Sequence, residues 1–313
     1  MNAPRIASLL ASSTEILHGL GLWDRVVAVS HECDYPPGVA DKPRVTLTTI
    51  HAAASSKTID AQVRAASADH EPLYKIDTQA LAKQKPDLIV TQAQCDVCAV
   101  KYEDVLAAVR SEPSLHATRI VALNPNSLDD IFQDIAKVGE AAGVGDQAER
   151  FIAILRARVS AVEDATADLD HADRPRVVCV EWIDPVMLAA NWMPDLLRLA
   201  GARCDLVQAG TPSSDTPWTD VVTYDPEVIV VMPCGFDLQR TIEESRTLTG
   251  LDHWAEITAV RQGLVYAVDG NAYFNRSGPR IVDSLEILAA LVHPDRFPDH
   301  RATYKHAWAE LIG

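Results

Sequence analysis

Two thiols stand three positions apart at Cys95 and Cys98, a spacing that brings two sulfur atoms onto one turn of the chain. Zinc and iron–sulfur centres use this spacing, and so do dithiols that form and break a reversible disulfide. The chain has no second such pair, so a metal centre would draw further ligands from His31, Cys33 or Cys234. Buried thiols without chemistry are the third interpretation, because cysteine is among the most buried residue types. The spacing alone leaves all three open.

Aromatic side chains make up only 6% of the chain, yet six of them fall in predicted loops. These six are Trp182, Trp192, Trp218, Phe236, Tyr273 and Phe274. Flat rings in a cleft suit a large, planar, partly apolar ligand such as a tetrapyrrole, although some of the rings will simply pack their loops against the protein. Arg276 and Arg280 could clamp carboxylate or phosphate groups, or Arg280 could pair with Asp283 at a helix start.

Short apolar runs that recur in both halves of the chain predict the elements that position these residues. The predicted strands cover residues 5–10, 26–29, 86–90 and 119–123 in the first half, and 176–180, 226–230 and 264–268 in the second. In each half the helix after the first strand ends at a glycine, Gly21 or Gly201. Such strands, separated by helix-length segments, predict parallel sheets covered by helices. The chain is therefore a duplicated α/β protein.

A long helix is predicted between the two halves. Residues 145–168 contain no proline, and their apolar positions recur at helical spacing. A helix over these residues would be about 36 Å long at roughly 1.5 Å per residue. We predict an N-terminal α/β lobe at 1–142, a linker helix at 143–170 and a C-terminal α/β lobe at 171–313, which one stiff helix would allow to close only slightly.

Ligands in open parallel sheets bind beyond the carboxyl ends of the strands. The first predicted strand is followed by Ser12 and Ser13, which we interpret as a helix cap whose N–H groups could also receive an anionic substituent. The second is followed by His31, Glu32 and Cys33. The second half contributes Trp182, Asn191, Trp192, Phe236, Asn271, Tyr273 and Arg276. These are the candidate ligand-binding residues.

The charge of the chain excludes several partners. There are 28 Lys and Arg against 44 Asp and Glu, a net charge of −16, which repels phosphate backbones and anionic lipid. We therefore expect no nucleic-acid partner and, because no long apolar run is present, no membrane insertion.

Residues 1–10 lack the pattern of an export signal, and no cysteine before Cys33 could anchor a lipid. The chain as given is predicted to be cytoplasmic, or periplasmic if its true start lies upstream.

Five segments of the chain resemble the class III, or helical-backbone, substrate-binding proteins of ABC importers. They are residues 6–21, 26–30, 85–90, 233–236 and 265–280. The resemblance is closest to the cobalamin-binding-like branch, in which His-Glu-Cys-Asp-Tyr-Pro and Cys-x-x-Cys-Ala loops occur. That family serves importers of cobalamin, haem and iron–siderophore chelates. The resemblance implies two Rossmann-like lobes with mainly parallel sheets, joined by one long α-helix, with the ligand cleft between the lobes.

The chain departs from this family where its members dock on a permease. Those members carry a glutamate on each lobe, seven residues before the proline that opens a strand. Here the positions hold Gln79, counted back from Pro86, and Thr219, counted back from Pro226. An ABC permease stays a candidate partner without these charges, and the chain resembles a non-exported member of the family.

The sequence thus predicts a monomeric, non-catalytic protein that binds a metal chelate, with a corrinoid of the cobalamin type as first choice and no required cofactor. The rings expected to stack on the macrocycle are Trp182, Trp192 and Tyr273. Arg276 would meet the peripheral polar groups, and His31 or Cys33 would approach the metal.

Two alternatives stay open. A thiol-ligated zinc or iron–sulfur protein or enzyme on the same scaffold would use Cys33, Cys95, Cys98 and Cys234 with His31. An ordinary ABC-importer component is the other. The chain has no Gly-x-Ser-x-Gly, no Walker loop and no Gly-x-Gly-x-x-Gly after a strand, so hydrolase and nucleotide-binding functions are not expected. Cys179 and Cys204 are assigned to packing.

Overall fold

Contacts divide the chain into two units, which are described separately. The computed structural model describes residues 4–68, 71–94 and 99–311. The first unit comprises Met1–Ala54, Ala61–Pro125 and Asp129–Ile154, and the second comprises Ser55–Asp60, Asn126–Leu128 and Leu155–Gly313. No helix in the described ranges is both long enough and apolar enough to cross a membrane.

The first unit is built on a four-stranded parallel sheet. Its strands are β1 (Ile6–Ser8), β2 (Val26–Val29), β5 (Leu88–Gln92) and β6 (Arg119–Leu123), and a separate antiparallel pair is formed by β3 (Thr46–Thr48) and β4 (Tyr74–Ile76). The sheet order is β2-β1-β5-β6. Strands β1 and β5 are buried along their whole length, as expected in the middle of a parallel sheet. The helices in this half of the chain are α1 (Ala11–Gly19), α2 (Ser56–Ala68), α3 (Thr78–Gln84), α4 (Tyr102–Ser111) and α5 (Leu128–Ala142).

The second unit is built on a six-stranded mixed sheet. Its strands are β7 (Val177–Trp182), β8 (Met187–Leu188), β9 (Ser214–Asp215), β10 (Val228–Val231), β11 (Val265–Val268) and β12 (Trp308–Glu310). They lie in the order β12-β11-β10-β7-β8-β9, and the central β7, β10 and β11 are parallel. The helices of this half are α7 (Met193–Leu199), α8 (Trp218–Tyr224), α9 (Leu238–Ser245), α10 (Thr258–Gln262), α11 (Ile281–Val292) and α12 (Pro298–Thr303).

The α/β class predicted from the sequence is confirmed, and every predicted strand is present, with bounds that agree or differ by a few residues. The predicted helix ends are also confirmed, because Gly21 and Gly201 lie just beyond α1 and α7 with φ of 66° and 71°. The antiparallel strands β8, β9 and β12 were not anticipated. They are two or three residues long, too short for an alternating pattern to register in the sequence.

Two local predictions need correction. Helix α1 begins at Ala11 with Leu10 as its N-cap, so Ser12 and Ser13 lie inside the helix and do not cap it. The long helix α6 (Gly145–Ala165) ends three residues earlier than predicted. Thr166 directly follows this end, and its hydroxyl donates to Leu199 O at 3.0 Å and to Glu163 O at 3.2 Å, so the side chain satisfies a carbonyl of the last turn.

A charged network in the second unit holds the second part of α6 against α11. Arg158 Nη2 lies 2.5 Å from Asp283 Oδ1 and 2.7 Å from Glu286 Oε2, and Arg158 Nε donates to Glu286 Oε1 at 2.9 Å. Tyr304 donates its hydroxyl to Glu286 Oε2 at 2.6 Å. Burial raises the pKa of Glu286, but the bonds from Arg158 and Tyr304 outweigh burial and leave the pKa below its usual value. One guanidinium therefore stabilises two carboxylates.

Replacing this guanidinium tests the network. We expect Arg158→Ala to lower the free energy of unfolding at pH 7 by about 2–3 kcal/mol, because two partly buried carboxylates lose their counter-ion. Because the pKa of folded Glu286 is lowered, this loss is present at neutral pH and shrinks as the pH falls through the folded pKa. Urea titrations at several pH values measure it.

The matched control is Arg198→Ala, which breaks an exposed pair with Glu163 of α6 and is expected to cost less than about 1 kcal/mol. Equal losses for the two variants would contradict a stabilising role for the network.

Candidate functional site

His31 lies directly beyond the carboxyl end of β2, where the polar groups of β3 and β4 fix its ring. Its backbone N–H donates to Thr46 Oγ1 at 2.9 Å, and its Nδ1 lies 2.7 Å from the same oxygen. The ring of Tyr74 packs beside the imidazole, with 5.4 Å between ring centroids. Ser30 Oγ, 3.0 Å from Thr46 Oγ1, completes the group. The imidazole is therefore held from one side through Nδ1.

The other ring nitrogen of His31 has no hydrogen-bond partner among the described residues, although it is buried. The side chain is 17% exposed, and the nearest carboxylate oxygen, Glu32 Oε1, is 3.7 Å from Nε2. Burial lowers the pKa of His31, and the positive charge of Arg44 lowers it further. The ring is therefore neutral at pH 7. A neutral imidazole anchored through Nδ1, with Nε2 unpartnered, has the arrangement of a metal ligand with its outer-sphere support.

The other candidates of the first unit use their polar groups internally. Ser8 Oγ lies 2.6 Å from Ser13 Oγ and 2.7 Å from Thr14 Oγ1, and Thr14 Oγ1 lies 3.0 Å from Cys33 Sγ. Cys33 is 1% exposed, and Ser12 and Ser13 are buried as well. The cluster packs α1 against β1. A ligand in this conformation would meet His31 and Glu32 rather than these hydroxyl and thiol groups.

In the second unit, the loops after β7, β10 and β11 are hydrogen-bonded to one another. Cys234 N–H donates to Glu181 O at 3.3 Å, and Asn271 N–H donates to Phe236 O at 2.9 Å. Asn275 Nδ2 donates to Met232 O at 2.8 Å. The carboxyl edge of the central strands thus forms one continuous surface, as predicted for adjacent parallel strands.

Gly270 permits the close approach of two of these loops. A Cβ atom at this position would lie 2.3 Å from Pro233 O and 2.7 Å from Met232 O, both backbone atoms that cannot rotate away. Only glycine fits there without moving the β10 loop.

The predicted aromatic residues separate into buried and half-buried rings. Trp192 is 8% exposed and its Nε1 donates to Phe274 O at 2.9 Å, while Phe236 and Phe274 are fully buried. Phe274 has φ of 61°, an unusual conformation for a bulky residue, which its bond to Trp192 holds in place. These three rings form the loop interior, so their faces are not available to a ligand in this conformation.

Trp182 and Tyr273 are the half-buried rings of the predicted stacking set. Trp182 contacts the ring of Phe236 edge to face, with 5.4 Å between centroids. Its Nε1 is buried without a partner in the described part of the chain. Tyr273 lies with its hydroxyl 3.3 Å from His306 Nε2, and the Arg280 guanidinium is 5.6 Å from its ring centre.

The remaining predicted residues have structural contacts. Arg276 is 7% exposed and donates to Asn271 Oδ1 at 2.9 Å. Asn191 adopts φ of 51°, and its backbone bonds to Thr211 and Gly210. Trp218 stacks on Trp254, with 5.8 Å between centroids.

Glu181 is a site residue that sequence reasoning missed. Its side chain accepts a very short hydrogen bond from the Ser213 hydroxyl, and Ser213 Oγ in turn accepts from Ala190 N–H at 2.9 Å. Burial raises the pKa of Glu181, and the bond from Ser213 opposes that rise. The sequence does carry a signal for Glu181, since an acidic residue directly before Trp182 at the end of an apolar strand is unusual.

The predicted thiol site is described only in part, because Cys95 and Cys98 lie outside the described residues. Cys234 is exposed and Cys33 is buried. Across residues 4–68, 71–94 and 99–311, no three His, Cys, Asp or Glu side chains form a group that could hold a metal ion. Cys179 is buried and burial raises its pKa, while burial raises the pKa of Cys204 to about 11, as expected for thiols used in packing.

A glycine substitution tests the loop surface of the second unit. We expect Gly270→Ala to lower the free energy of unfolding by about 2 kcal/mol, because the added methyl overlaps the Pro233 carbonyl. Gly250→Ala is the control, since its Cβ would meet nothing within 4 Å, and it should stay within about 0.5 kcal/mol of wild type. Urea unfolding measures both, and a Gly270→Ala variant as stable as wild type would refute the close approach.

Comparisons with known proteins agree with this architecture. A family model described as "Periplasmic binding protein" matches residues 6–272. The chain is similar to an uncharacterized ABC transporter substrate-binding lipoprotein, YvrC, of Bacillus subtilis, with 23% identity over 94% of this chain and 82% of that protein. It is also similar to the vitamin B12-binding protein of Vibrio cholerae, with 23% identity over 91% of this chain and 87% of that protein.

Among solved structures, the fold matches the periplasmic heme-binding protein RhuT from Roseiflexus sp. RS-1. The TM-score is 0.69 with 22% identity, and the match covers 94% of this chain and 100% of that one. At this identity the likeness establishes the fold alone.

Proposed function

We propose that this chain, which belongs to the periplasmic binding protein family, binds a metal chelate without transforming it, and that the chelate is a corrinoid. Family membership confirms the resemblance seen in the sequence, and relatives of the chain are named as ABC transporter substrate-binding and vitamin B12-binding proteins. The ligand itself is the proposal. His31 is its central residue.

The observation that carries the proposal is the unpartnered Nε2 of a buried, neutral imidazole. An unsatisfied buried nitrogen costs about 1–3 kcal/mol, and such a group calls for an explanation. Coordination to a metal would recover that cost. It requires the tautomer in which Nδ1–H donates to Thr46 Oγ1, and this contact is already 2.7 Å long.

A corrinoid fits this nitrogen because its cobalt accepts an axial imidazole, a ligand type that suits transition metals of this kind. Nε2 is closed to solvent, so coordination requires a side chain beside it to move. Glu32 is placed to do so, since its carboxylate is 3.7 Å away and its side chain is 32% exposed. Cys33, the other predicted near-metal ligand, is buried against Thr14 and is not part of this proposal.

A permease partner belongs to the proposal only in general terms. Gln79 and Thr219 are both exposed and occupy the second position of α3 and α8. A permease that recognises this chain would meet neutral side chains there, with the exposed Asp220 next to Thr219. The thiol-ligated alternative depends on Cys95 and Cys98, which lie outside the described residues, and it is not part of this proposal.

Titration with aquacobalamin tests the proposal. We expect the visible bands of the corrinoid to shift with one-to-one saturation, and His31→Ala to weaken binding about tenfold or more, because a nitrogen ligand to cobalt is lost. Thr46→Val should weaken binding about tenfold by removing the partner of Nδ1. Cys33→Ala and the surface variant His253→Ala are the controls and should bind like wild type. A shift that survives His31→Ala unchanged would rule out ligation by this residue.

The pH dependence of the same titration is a separate test. Protonated imidazole cannot coordinate cobalt, so the contribution of His31 is lost as the pH falls through its pKa. Because that pKa is lowered from 6.5, the affinity ratio of wild type to His31→Ala should fall on acidification with a midpoint below pH 6.5. A midpoint at or above pH 6.5 would contradict a lowered pKa.

A further inference from the structure

Glu181 presents one carboxylate oxygen to a ligand at the carboxyl edge of β7. Its Oε2 accepts from Ser213, which is the one side-chain hydrogen-bond partner of Glu181 among the described residues. Oε1 has no hydrogen bond there and is not fully enclosed. The carboxylate is thus anchored by one oxygen, while the other keeps some exposure.

The surroundings of Glu181 fix its position. Ser213 accepts from Ala190 N–H, so the hydroxyl is oriented to donate toward the carboxylate. On the backbone, Glu181 O accepts from Cys234 N–H, which ties the residue to the β10 loop. The next residue, Trp182, is one of the two half-buried rings of this edge. Glu181 therefore lies on a rigid strand end beside a candidate ligand-binding ring.

No cation among the described residues lowers the pKa of the Glu181 carboxylate. Arg276 is buried and donates to Asn271, and the Arg240 guanidinium lies 3.5 Å from the ring centre of Phe236. Neither forms an ion pair with Glu181 in the described part of the chain. A partly buried carboxylate without a counter-ion interacts strongly with any charge brought beside it, because the local dielectric constant is low.

We infer that Glu181 selects ligands by their peripheral groups, accepting hydrogen bonds from amide N–H groups at Oε1 and rejecting carboxylates. In its ionised form the Glu181 carboxylate only accepts hydrogen bonds, so in that form it matches an amide and opposes another carboxylate. This inference rests on the proposed function, because Glu181 would distinguish metal chelates with peripheral amides from metal chelates with peripheral carboxylic acids. Glu181 would be the specificity-determining residue of this edge.

A matched pair of corrinoids tests the inference. Cobinamide carries peripheral amides, whereas cobyrinic acid carries carboxylates on the same ring with the same metal, so their difference in affinity reports on the periphery. The wild-type protein, Glu181→Gln and Glu256→Gln are titrated with both at about pH 8, because burial raises the pKa of Glu181 and a higher pH favours its ionised form. Glu256→Gln is the control, because it removes the same charge from an exposed position. Its segment is hydrogen-bonded to Asp225 and Pro226, so it lies at the amino end of β10 rather than at the carboxyl edge.

We expect wild type and Glu256→Gln to bind cobinamide about tenfold or more tightly than cobyrinic acid. Glu181→Gln should reduce this affinity ratio at least about fivefold, mainly because it binds cobyrinic acid more tightly. Thermal unfolding verifies that the variant is folded.

Two other outcomes are distinguishable. If wild type binds both corrinoids equally, or if Glu181→Gln binds cobinamide with the preference unchanged, the inference is overturned while corrinoid binding stands. If wild type binds neither corrinoid, the proposed function fails and the inference falls with it.

Discussion

The hydroxyl of Thr46 determines what His31 can do. It accepts the backbone N–H of His31 and contacts Nδ1, and through both it sets the position of the ring. Thr46 can do this because β3 is brought beside β2, where Val45 N–H donates to Val29 O at 3.0 Å, and because β3 pairs with β4. Without this short antiparallel pair, His31 would be an ordinary loop histidine.

A different constraint, the close packing of backbone against backbone, shapes the carboxyl edge of the sheet in the second unit. Gly270 lets the β11 loop pass against the β10 loop, and the buried rings of Trp192 and Phe274 fill the space behind. What is left at the edge is a small set of half-buried groups, of which Glu181 and Trp182 are adjacent in the chain. The buried rings support the loops, and the half-buried groups are the ones that a ligand could contact.

The strands and the α/β class follow from the sequence because β-branched runs and helix-ending glycines are local signals. The candidate functional site can be predicted from the sequence only in part. His31 was identified by its place after a strand, but Thr46 comes from a short strand of an unpredicted pair, and nothing local in the sequence connects the two. Cys33 is buried with its thiol 3.0 Å from the Thr14 hydroxyl, a contact that the spacing of the cysteines does not reveal. Long-range contacts therefore decide which candidates are exposed to a ligand.

The most direct test of the central claim is the electron paramagnetic resonance spectrum of cobalt(II) cobinamide bound to the protein. Cobinamide lacks the nucleotide base of cobalamin, so a nitrogen on the axial position of cobalt must come from the protein. The account predicts triplet splitting of the cobalt lines by this nitrogen, and its loss in His31→Ala. A bound spectrum without nitrogen splitting, or splitting that persists in His31→Ala, would contradict it.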